Sequence, residues 1–323
     1  MTDAPILIIK HGALGDLVQA LGPIRAIRRH HPGQQVVLLT TRPFAAFAEA
    51  CPDVDVVWID ERPRAFQAGR WLALRRRLRQ AGFARVYDLQ TSDRSSAYFQ
   101  LMLPGPRPEW CGIARGCSHR QPAAGRSSMH TVDRQAAQLR IAGIATVPPA
   151  DLSWAKADIG RYGLAGSYAL LAPGSAPHRP AKRWPAERFA ALARHLWARG
   201  IRPVLVGTAG EADLHSHISD LAGGAPLLSL AGATSLLELA TLARGAVAAV
   251  GNDTGPMHMT AAAGCPTLVL FSSESDPARC VPRGDRVVHL RREALDQLPL
   301  DAVTAAVDGL VAPARERGAR LAR

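Results

Sequence analysis

Short apolar runs rich in branched side chains alternate with longer segments of helical periodicity along almost the whole chain. Alternation of this kind predicts an α/β fold in which parallel strands are joined by crossover helices. Ligands of such sheets bind at the carboxyl ends of the strands, so a site is expected in the loops that follow them. The predicted strands are 6–10, 35–40, 56–59, 86–89, 168–172, 203–206, 247–251 and 267–270. The predicted helices are 17–30, 43–50, 64–81, 131–142, 185–199, 211–221, 235–243 and 255–263.

The length of 323 residues is about twice that of an average domain, which predicts two domains. We expect the boundary near residue 155, because Pro and Gly cluster between residues 148 and 166 and the periodicity lapses there. The same alternation of strands and helices restarts after this region. The sequence therefore predicts two doubly wound, Rossmann-like domains, 1–155 and 156–323, that face a cleft.

The charge of the chain is unevenly distributed. Arginine supplies 36 of the 39 basic residues, and the formal net charge is +12. Residues 1–150 carry +9 of this charge and residues 151–323 carry +3. The basic first half fits an anionic partner such as a nucleic acid, a phosphorylated glycan or an acidic membrane surface, or it serves solubility alone. The sequence has no recognisable nucleic-acid module or aromatic stacking platform, so no nucleic-acid partner is expected.

The five cysteines are scattered, with no pair at metal-ligand spacing, which favours a reduced cytoplasmic setting. The apolar run near the amino terminus is too short for a signal sequence. No apolar run approaches the ~18 residues that a membrane helix needs. We therefore expect a cytoplasmic protein that at most contacts the inner membrane from its cytoplasmic face.

The first predicted strand is followed by Lys10, His11 and Gly12, and Asp16 stands at the start of the next helix. Together with Gly15, Gly12 allows the backbone to turn tightly and approach a ligand. The loop lacks the third glycine of the dinucleotide-binding pattern. Asp16 is either a carboxylate directed into the cleft or a first-turn residue that stabilises the helix dipole.

Two loops of the second half carry groups suited to phosphate. In one, a glycine and Ser175 follow a strand, and Lys182 comes shortly before the next helix. In the other, Thr254 and Gly255 open a helix whose amides would point at an anion, and His258 follows one turn later. Two such loops in one domain favour a nucleoside diphosphate as ligand.

Other signals are weaker. Asp53 and Asp55 have the DxD spacing that binds metal in some enzymes, but they lie far in sequence from the phosphate loops. The histidines at 30, 31, 215 and 217 lack a plausible third ligand nearby and are interpreted as surface residues. Neither group predicts a metal site.

Residues 70–79, RWLALRRRLR, form a basic amphipathic helix in this prediction. Such a helix either packs with a solvated basic side or forms a surface for an anionic lipid-linked glycan or a membrane.

Three motifs together resemble one known family. Leu14-Gly15-Asp16, the AKRWP segment around Lys182 and the DTGPMH segment from Asp253 to His258 are similar to the signature loops of glycosyltransferase family 9. This family comprises the bacterial ADP-heptose:lipopolysaccharide heptosyltransferases and their relatives. The resemblance extends from Ile6 to about Pro282, and the order and spacing of the three loops carry it.

The resemblance implies a GT-B fold in which domain 1–155 binds the acceptor and domain 156–323 binds the nucleotide sugar. By this similarity Asp16 is the general base that deprotonates the acceptor hydroxyl. The residues implied to bind the donor are Ser175, Lys182, Glu211, Asp253, Thr254, Gly255 and His258. Candidates on the acceptor side are Lys10, His11, Arg75 and Arg76.

The expected function is metal-independent, inverting transfer of a heptose from ADP-heptose to a lipopolysaccharide core or another cell-envelope glycan, with no cofactor. A protein or other acceptor, or another nucleotide sugar, remains open within the family. A sugar-nucleotide epimerase of the same fold is a further alternative. So is a non-catalytic protein that binds nucleotide sugars or nucleic acid.

Overall fold

The computed structural model describes residues 4–105, 107–176 and 179–321, and the side chains as far as residue 312. It divides into two compact units, Met1–Trp154 and Ala155–Arg323. The described residues of each unit contain one sheet of six strands, and all of its strand pairs are parallel. The predicted α/β class with doubly wound sheets is confirmed.

The strands of the first unit are β1 (Ile6–Ile9), β2 (Val36–Thr40), β3 (Val56–Ile59), β4 (Arg85–Asp88), β5 (Glu109–Gly112) and β6 (His119–Arg120). Its helices are α1 (Leu14–Gln19), α2 (Leu21–His30), α3 (Ala45–Glu49), α4 (Ala68–Gln80), α5 (Asp93–Leu101) and α6 (Thr131–Ile141), with a 3₁₀ turn at Arg42–Phe44.

The strands of the second unit are β7 (Tyr168–Ala172), β8 (Arg202–Gly207), β9 (Leu228–Ala231), β10 (Ala248–Asn252), β11 (Thr267–Phe271) and β12 (Val287–Arg291). Its helices are α7 (Ala186–Ala198), α8 (Ala212–Ala222), α9 (Leu236–Gly245), α10 (Gly255–Ala262), α11 (Pro277–Cys280) and α12 (Leu300–Leu321). Its 3₁₀ turns are Gly160–Tyr162, Pro180–Lys182, Ala209–Glu211 and Leu295–Gln297.

Both sheets reverse their strand order at the centre. The first has the order β3-β2-β1-β4-β5-β6, and the second has the order β9-β8-β7-β10-β11-β12. Chain connections therefore diverge between β1 and β4 in one sheet and between β7 and β10 in the other, which opens a crevice at the carboxyl ends of those strands. The central strands are fully buried because helices cover both faces.

The structure differs from the sequence prediction at the sheet margins. The prediction omits β5, β6, β9 and β12, of which β6, β9 and β12 are edge strands and β5 pairs with β6. Edge strands are short and half-exposed, so their apolar signal is weak. The predicted helix 17–30 is two helices that meet at Ala20. The prediction also lacks α5 and α12, although Val303, Val307 and Leu310 of α12 have helical spacing and are buried.

Each unit has its own apolar core. In the first unit, Leu7, Ile9 and Val86 pack with Tyr98 and Trp110. In the second, Leu171, Val250 and Leu270 pack with Phe189 and Val307. Among the described residues, no helix combines the length and the apolar content needed to cross a bilayer.

The segment predicted as a linker is packed rather than extended. Asp151 accepts a hydrogen bond of 2.9 Å from the guanidinium of Arg25 on α2, and Leu152 is fully buried. Beyond the boundary, the amide of Ala157 donates to Thr241 Oγ1 of α9 at 3.1 Å. The start of this segment therefore belongs to the first unit and its continuation to the second.

The contact between Gly22 and the Pro148 carbonyl gives a test of this packing. A Cβ at Gly22 would lie 2.1 Å from Pro148 O. We expect Gly22→Ala to lower the free energy of unfolding by about 1–3 kcal/mol, because the backbone must move to relieve the overlap.

The matched control is Gly309→Ala on α12, where an added Cβ meets no atom within 4 Å. That change should raise the free energy of unfolding by roughly 0.5–1 kcal/mol through helix propensity alone. Denaturant titration measures both changes, and equal effects of the two substitutions would contradict the packing.

Candidate active site

The loop after β1 has a fixed conformation. Gly12 has φ +116°, and a Cβ there would lie 2.3 Å from Cε2 of Phe44, so the position requires glycine. The amide of His11 donates to Gln90 Oε1 at 2.9 Å, and Thr41 Oγ1 donates to the His11 carbonyl at 2.8 Å. The loops after β2 and β4 thus hold the turn that leads into α1. Asp16 lies half-buried in the first turn of that helix.

Two buried charges lie at the carboxyl ends of β1 and β4. Lys10 is 3% exposed, and its Nζ donates to the Leu89 carbonyl at 3.3 Å. Burial lowers the pKa of Lys10, while the nearby carboxylates of Asp16 and Asp88 act in the opposite direction. Asp88 is fully buried and accepts from the Thr91 amide at 2.9 Å, and burial raises its pKa to about 6. The buried ammonium group of Lys10 therefore attracts the carboxylates of Asp16 and Asp88.

His11 is also held inside the first unit. Its Nε2 lies 2.9 Å from Oδ2 of Asp60, the residue that follows β3. Tyr98 donates to the same oxygen at 2.5 Å, and the Arg62 amide donates to Asp60 Oδ1 at 2.8 Å. Burial acts to raise the pKa of Asp60, but hydrogen bonds from His11, Tyr98 and the Arg62 amide outweigh it, so the pKa is lowered. An ionised Asp60 thus orients the His11 ring.

The two arginines predicted on the acceptor side differ in their surroundings. Arg75 donates to the carbonyls of Leu101 and Leu103 at 3.0 and 2.8 Å, so its guanidinium ties α4 to the end of α5. Arg76, the next residue, is exposed.

Asp53 and Asp55, the DxD pair of the sequence, have a structural role. Asp53 pairs with Arg25 at 3.1 Å, and Asp55 pairs with Arg28 and accepts from the Val36 amide. Both arginines lie on α2. Within the residues that the structure describes, no group of three His, Cys, Asp or Glu side chains has the geometry to hold a metal ion.

In the second unit, the buried side chain of Asn252 joins the loops after β7 and β10. Its Nδ2 donates to the Pro173 carbonyl at 2.6 Å and lies 3.3 Å from the Gly174 carbonyl. Its Oδ1 accepts from the Trp184 amide at 3.0 Å. One amide group therefore fixes three backbone segments around the crevice between β7 and β10.

Lys182 and Asp253 meet across this crevice. The Nζ of Lys182 lies 2.6 Å from Asp253 Oδ2, and Ser275 Oγ donates to the same oxygen at 2.6 Å. Lys182 is 9% exposed, because it sits at the end of a 3₁₀ turn enclosed by the two loops. The carboxylate therefore orients the ammonium group and leaves its remaining N–H donors for a ligand.

Ser175 lies on the loop after β7 that leads to Lys182, and its side chain is buried. Its hydroxyl donates to the Arg179 carbonyl at 3.0 Å and accepts from Nε of Arg183 at 3.1 Å. Arg183 thus orients a hydroxyl in the same loop that leads to Lys182.

Glu211 lies between two glycines at strand ends. A Cβ at Gly174 would come within 1.9 Å of Glu211 Oε1, and a Cβ at Gly207 within 2.1 Å of Glu211 Oε2. The carboxylate also accepts from the Thr208 amide at 2.8 Å in a capping box. Glycines at the ends of β7 and β8 thus make room for a carboxylate at the edge of the sheet.

The third predicted loop opens α10. Thr254 is the extended N-cap residue and Gly255 the first helical residue, so their amides lie at the positive end of the helix. His258 is buried on the second turn of α10. The structure therefore brings all seven predicted donor-binding residues to the carboxyl edge of one sheet.

One histidine prediction is wrong. His215 is fully buried, and its Nδ1 lies 3.0 Å from Ser229 Oγ. Burial lowers its pKa to about 4, so the ring is neutral at physiological pH. His215 faces inward on α8 and lies close to Gly207, an arrangement that local sequence does not encode.

Sequence reasoning missed Asn252, Ser275, Asp60, Asp88 and Tyr98. Asn252 directly precedes Asp253 in a motif already singled out, and a polar residue at a buried strand end is a usable signal. Asp60 directly follows the predicted strand 56–59, and Asp88 is the penultimate residue of the predicted strand 86–89. Ser275 and Tyr98 carry no comparable signal, because their partners are distant in sequence.

Comparisons with known proteins identify the family of this chain. Residues 71–302, more than half of the chain, match the family described as glycosyltransferase family 9 (heptosyltransferase). Lipopolysaccharide heptosyltransferase 1 of Pseudomonas aeruginosa is 27% identical over 313 residues, covering 88% of this chain and 83% of that protein.

Two solved structures share the fold at low identity. The ADP-heptose lipopolysaccharide heptosyltransferase II of Escherichia coli aligns with a TM-score of 0.78 and 21% identity, over 96% of this chain and 99% of that chain. A family 9 glycosyltransferase of Veillonella parvula aligns with a TM-score of 0.82 and 18% identity, over 97% and 99%. The two parallel six-stranded sheets are those of the GT-B class. The chain belongs to glycosyltransferase family 9, the heptosyltransferase family, and is a glycosyltransferase.

Proposed function

We propose that this glycosyltransferase transfers a heptose from ADP-heptose to a lipopolysaccharide core or another cell-envelope glycan, with inversion and without a metal ion. The observation that carries the proposal is the group formed by Lys182, Asp253 and the amino terminus of α10 at the crevice between β7 and β10. This group presents the N–H donors of Lys182 and of the first turn of α10 where a doubly wound sheet binds nucleotide phosphates.

The donor half of the reaction needs a stabilised leaving group. Breaking the glycosidic bond of a nucleotide sugar develops negative charge on a diphosphate oxygen. Lys182, oriented by Asp253, and the first-turn amides of α10 supply opposing charge in a partly buried site. Ser175 lies on the loop that leads to Lys182, and His258 lies on α10. In this proposal Glu211 accepts hydrogen bonds from the ribose hydroxyls. Lys182 and the α10 amides together can stabilise the negative charge that a divalent cation stabilises in other transferases.

The acceptor half needs a base. We propose that Asp16, in the first turn of α1, takes the proton from the acceptor hydroxyl as that oxygen attacks the anomeric carbon. A single displacement of this kind inverts the configuration at that carbon. The fixed loop after β1 supports the assignment, because a weak carboxylate base depends on positioning.

In this proposal Lys10 and His11 stabilise the loop that carries Asp16 and do not contact the acceptor. Both side chains are buried, and Lys10 interacts electrostatically with Asp16 and Asp88. They therefore act through the conformation and the field of the catalytic loop, while exposed arginines such as Arg76 meet the charge of the acceptor. A protein acceptor or another nucleotide sugar would use the same groups and is the alternative within the family.

Replacing Asp16 by Asn should separate chemistry from donor binding. We expect Asp16→Asn to lower kcat for transfer by about 10²–10⁴, because the proton acceptor is lost, with little change in the Kd for ADP. Steady-state transfer assays and calorimetric titration with ADP measure the two quantities. Unchanged turnover in the variant would remove Asp16 from the mechanism.

The nucleotide preference tests the donor. Thermal shifts with ADP, UDP, GDP and dTDP should be largest for ADP, and stabilisation confined to another base would exclude ADP-heptose as donor.

Gly207→Ala should weaken the ADP shift, because the added Cβ displaces the Glu211 carboxylate. Gly210→Ala is the control, since its Cβ would meet only Thr208 Oγ1 at 3.9 Å, and its ADP shift should match that of the parent.

The buried carboxyl of Asp88 predicts a pH dependence of stability. Its pKa is raised from 3.8 to about 6, so the folded state holds this proton over a pH range in which the unfolded state has lost it. The Asp88 contribution to the free energy of unfolding should thus fall as pH rises, by about 2 kcal/mol between about pH 4 and about pH 7. Urea titrations of the parent and of Asp88→Asn measure it as a pH-dependent difference, and a constant difference would contradict this placement of Asp88.

A further inference from the structure

The ring of His215, on α8, is fully buried, and only one of its two nitrogens has a partner. Nδ1 lies 3.0 Å from Ser229 Oγ on β9. Among the residues that the structure describes, none forms a hydrogen bond with Nε2. Polar atoms in a protein interior are rarely left in this state, so the unpaired nitrogen indicates a neighbouring group on which it acts.

That neighbour is the carboxylate of Glu211, which lies across Gly207 from the ring. The point that a Cβ of Gly207 would occupy is 3.1 Å from His215 Nε2 and 2.1 Å from Glu211 Oε2. The two groups therefore border one small space, which stays open because residue 207 is glycine. Glu211 and His215 are also four residues apart at the start of α8, a spacing that places them on one face of the helix.

The Glu211 carboxylate can accept a further hydrogen bond. Oε2 accepts from the Thr208 amide at 2.8 Å, which uses one of its two lone pairs. Oε1 borders Gly174 in the loop after β7. The Thr208 amide holds one oxygen, but a single hydrogen bond leaves the plane of the carboxylate able to turn. A second donor beside Gly207 would fix that plane.

His215 can supply this donor without adding a charge. Burial lowers its pKa to about 4, so the ring is neutral at physiological pH and carries one hydrogen. The Ser229 hydroxyl can donate to Nδ1, which leaves the ring hydrogen on Nε2. A lysine or arginine here would compete with a ligand for the carboxylate oxygens, whereas a neutral N–H orients the carboxylate and leaves its negative charge in place.

We propose that His215 is a positioning residue of the donor site, whose Nε2–H donates to Glu211 and fixes this carboxylate for the ribose hydroxyls of the nucleotide. The inference rests on the proposed function, in which Glu211 binds those hydroxyls. The hydrogen bond forms as the carboxylate shifts into the space beside Gly207 when the ribose binds. His215 stays buried and acts through Glu211, so it governs how strongly the hydroxyls are recognised.

The test compares the Kd values of ADP and 2′-deoxy-ADP by calorimetric titration of the full chain. The parent should bind ADP about 10-fold more tightly than 2′-deoxy-ADP, because the deoxy compound loses a hydrogen bond to a carboxylate. In His215→Phe this ratio should fall to about threefold or less. A purely structural effect of the substitution would weaken both nucleotides alike, so an unchanged ratio in His215→Phe would overturn the proposal.

Two amide variants show whether the donor at Nε2 is the group that matters. The side-chain nitrogen of His215→Gln can take the place of Nε2, so this variant should retain most of the parent ratio. His215→Asn reaches only the place of Nδ1 and should behave as His215→Phe does. The matched control is His217→Phe, at an exposed histidine on the same helix, which should keep the parent ratio.

Two further variants separate positioning from direct contact and from misfolding. Glu211→Ala should bring the ratio to about one, and adding His215→Phe should then change it no further. Ser229 is exposed on β9, so Ser229→Ala should fold even if a variant at residue 215 does not. Its ratio should also fall, because the hydroxyl that keeps the hydrogen on Nε2 is lost. A parent ratio retained in Ser229→Ala, or an additive effect of His215→Phe on Glu211→Ala, would contradict the proposal.

The same titrations distinguish failure of this inference from failure of the proposed function. Tight ADP binding with a ratio that His215 does not influence would overturn the inference alone. Equal binding of the two nucleotides by the parent would also overturn it, because no ribose contact would be left to position. A parent that binds neither nucleotide would contradict the proposed function itself, and the inference with it.

Discussion

The reversal of strand order in each sheet is the constraint on which both candidate sites depend. Between β1 and β4, and again between β7 and β10, consecutive crossovers run to opposite sides, so no connection covers the carboxyl ends of those strands. Residues far apart in sequence are thereby brought to one edge. Lys10 lies within reach of the Leu89 carbonyl, and Lys182 lies within reach of Asp253, because of this topology.

The two edges use buried charge differently. In the second unit, Lys182 is paired directly with Asp253, which keeps a cation in place in a nearly closed environment. In the first unit, each buried charged or titratable group has several weaker partners, through hydrogen bonds and longer-range attraction. These groups are Lys10, His11, Asp60 and Asp88. The direct pair of Lys182 and Asp253 suits a fixed anion such as a diphosphate. In the first unit, several buried charged groups instead surround the loop after β1.

The sequence alone predicted the central strands and the loop motifs, but it did not predict how side chains pack against distant elements. Strands that are buried on both faces have continuous apolar runs, so β1, β2, β7 and β11 were predictable to within a residue or two. The positions of Asp16, Lys182 and Gly255 at loop and helix boundaries followed from glycine and helix-start patterns. The burial of Lys10 and His215, and the engagement of Arg75 with backbone carbonyls, were not predictable. Each depends on packing against elements that no local pattern specifies.

Asn252 has a further consequence for the charge of the crevice between β7 and β10. Its amide donates to the Pro173 carbonyl and accepts from the Trp184 amide, so the walls of the crevice are joined by a group with no net charge. An aspartate of the same shape could not donate to a carbonyl, and it would add a negative charge beside Asp253. A neutral side chain at this position therefore adds no negative charge beside Asp253, and it does not oppose the positive charge of Lys182 and of the amino terminus of α10.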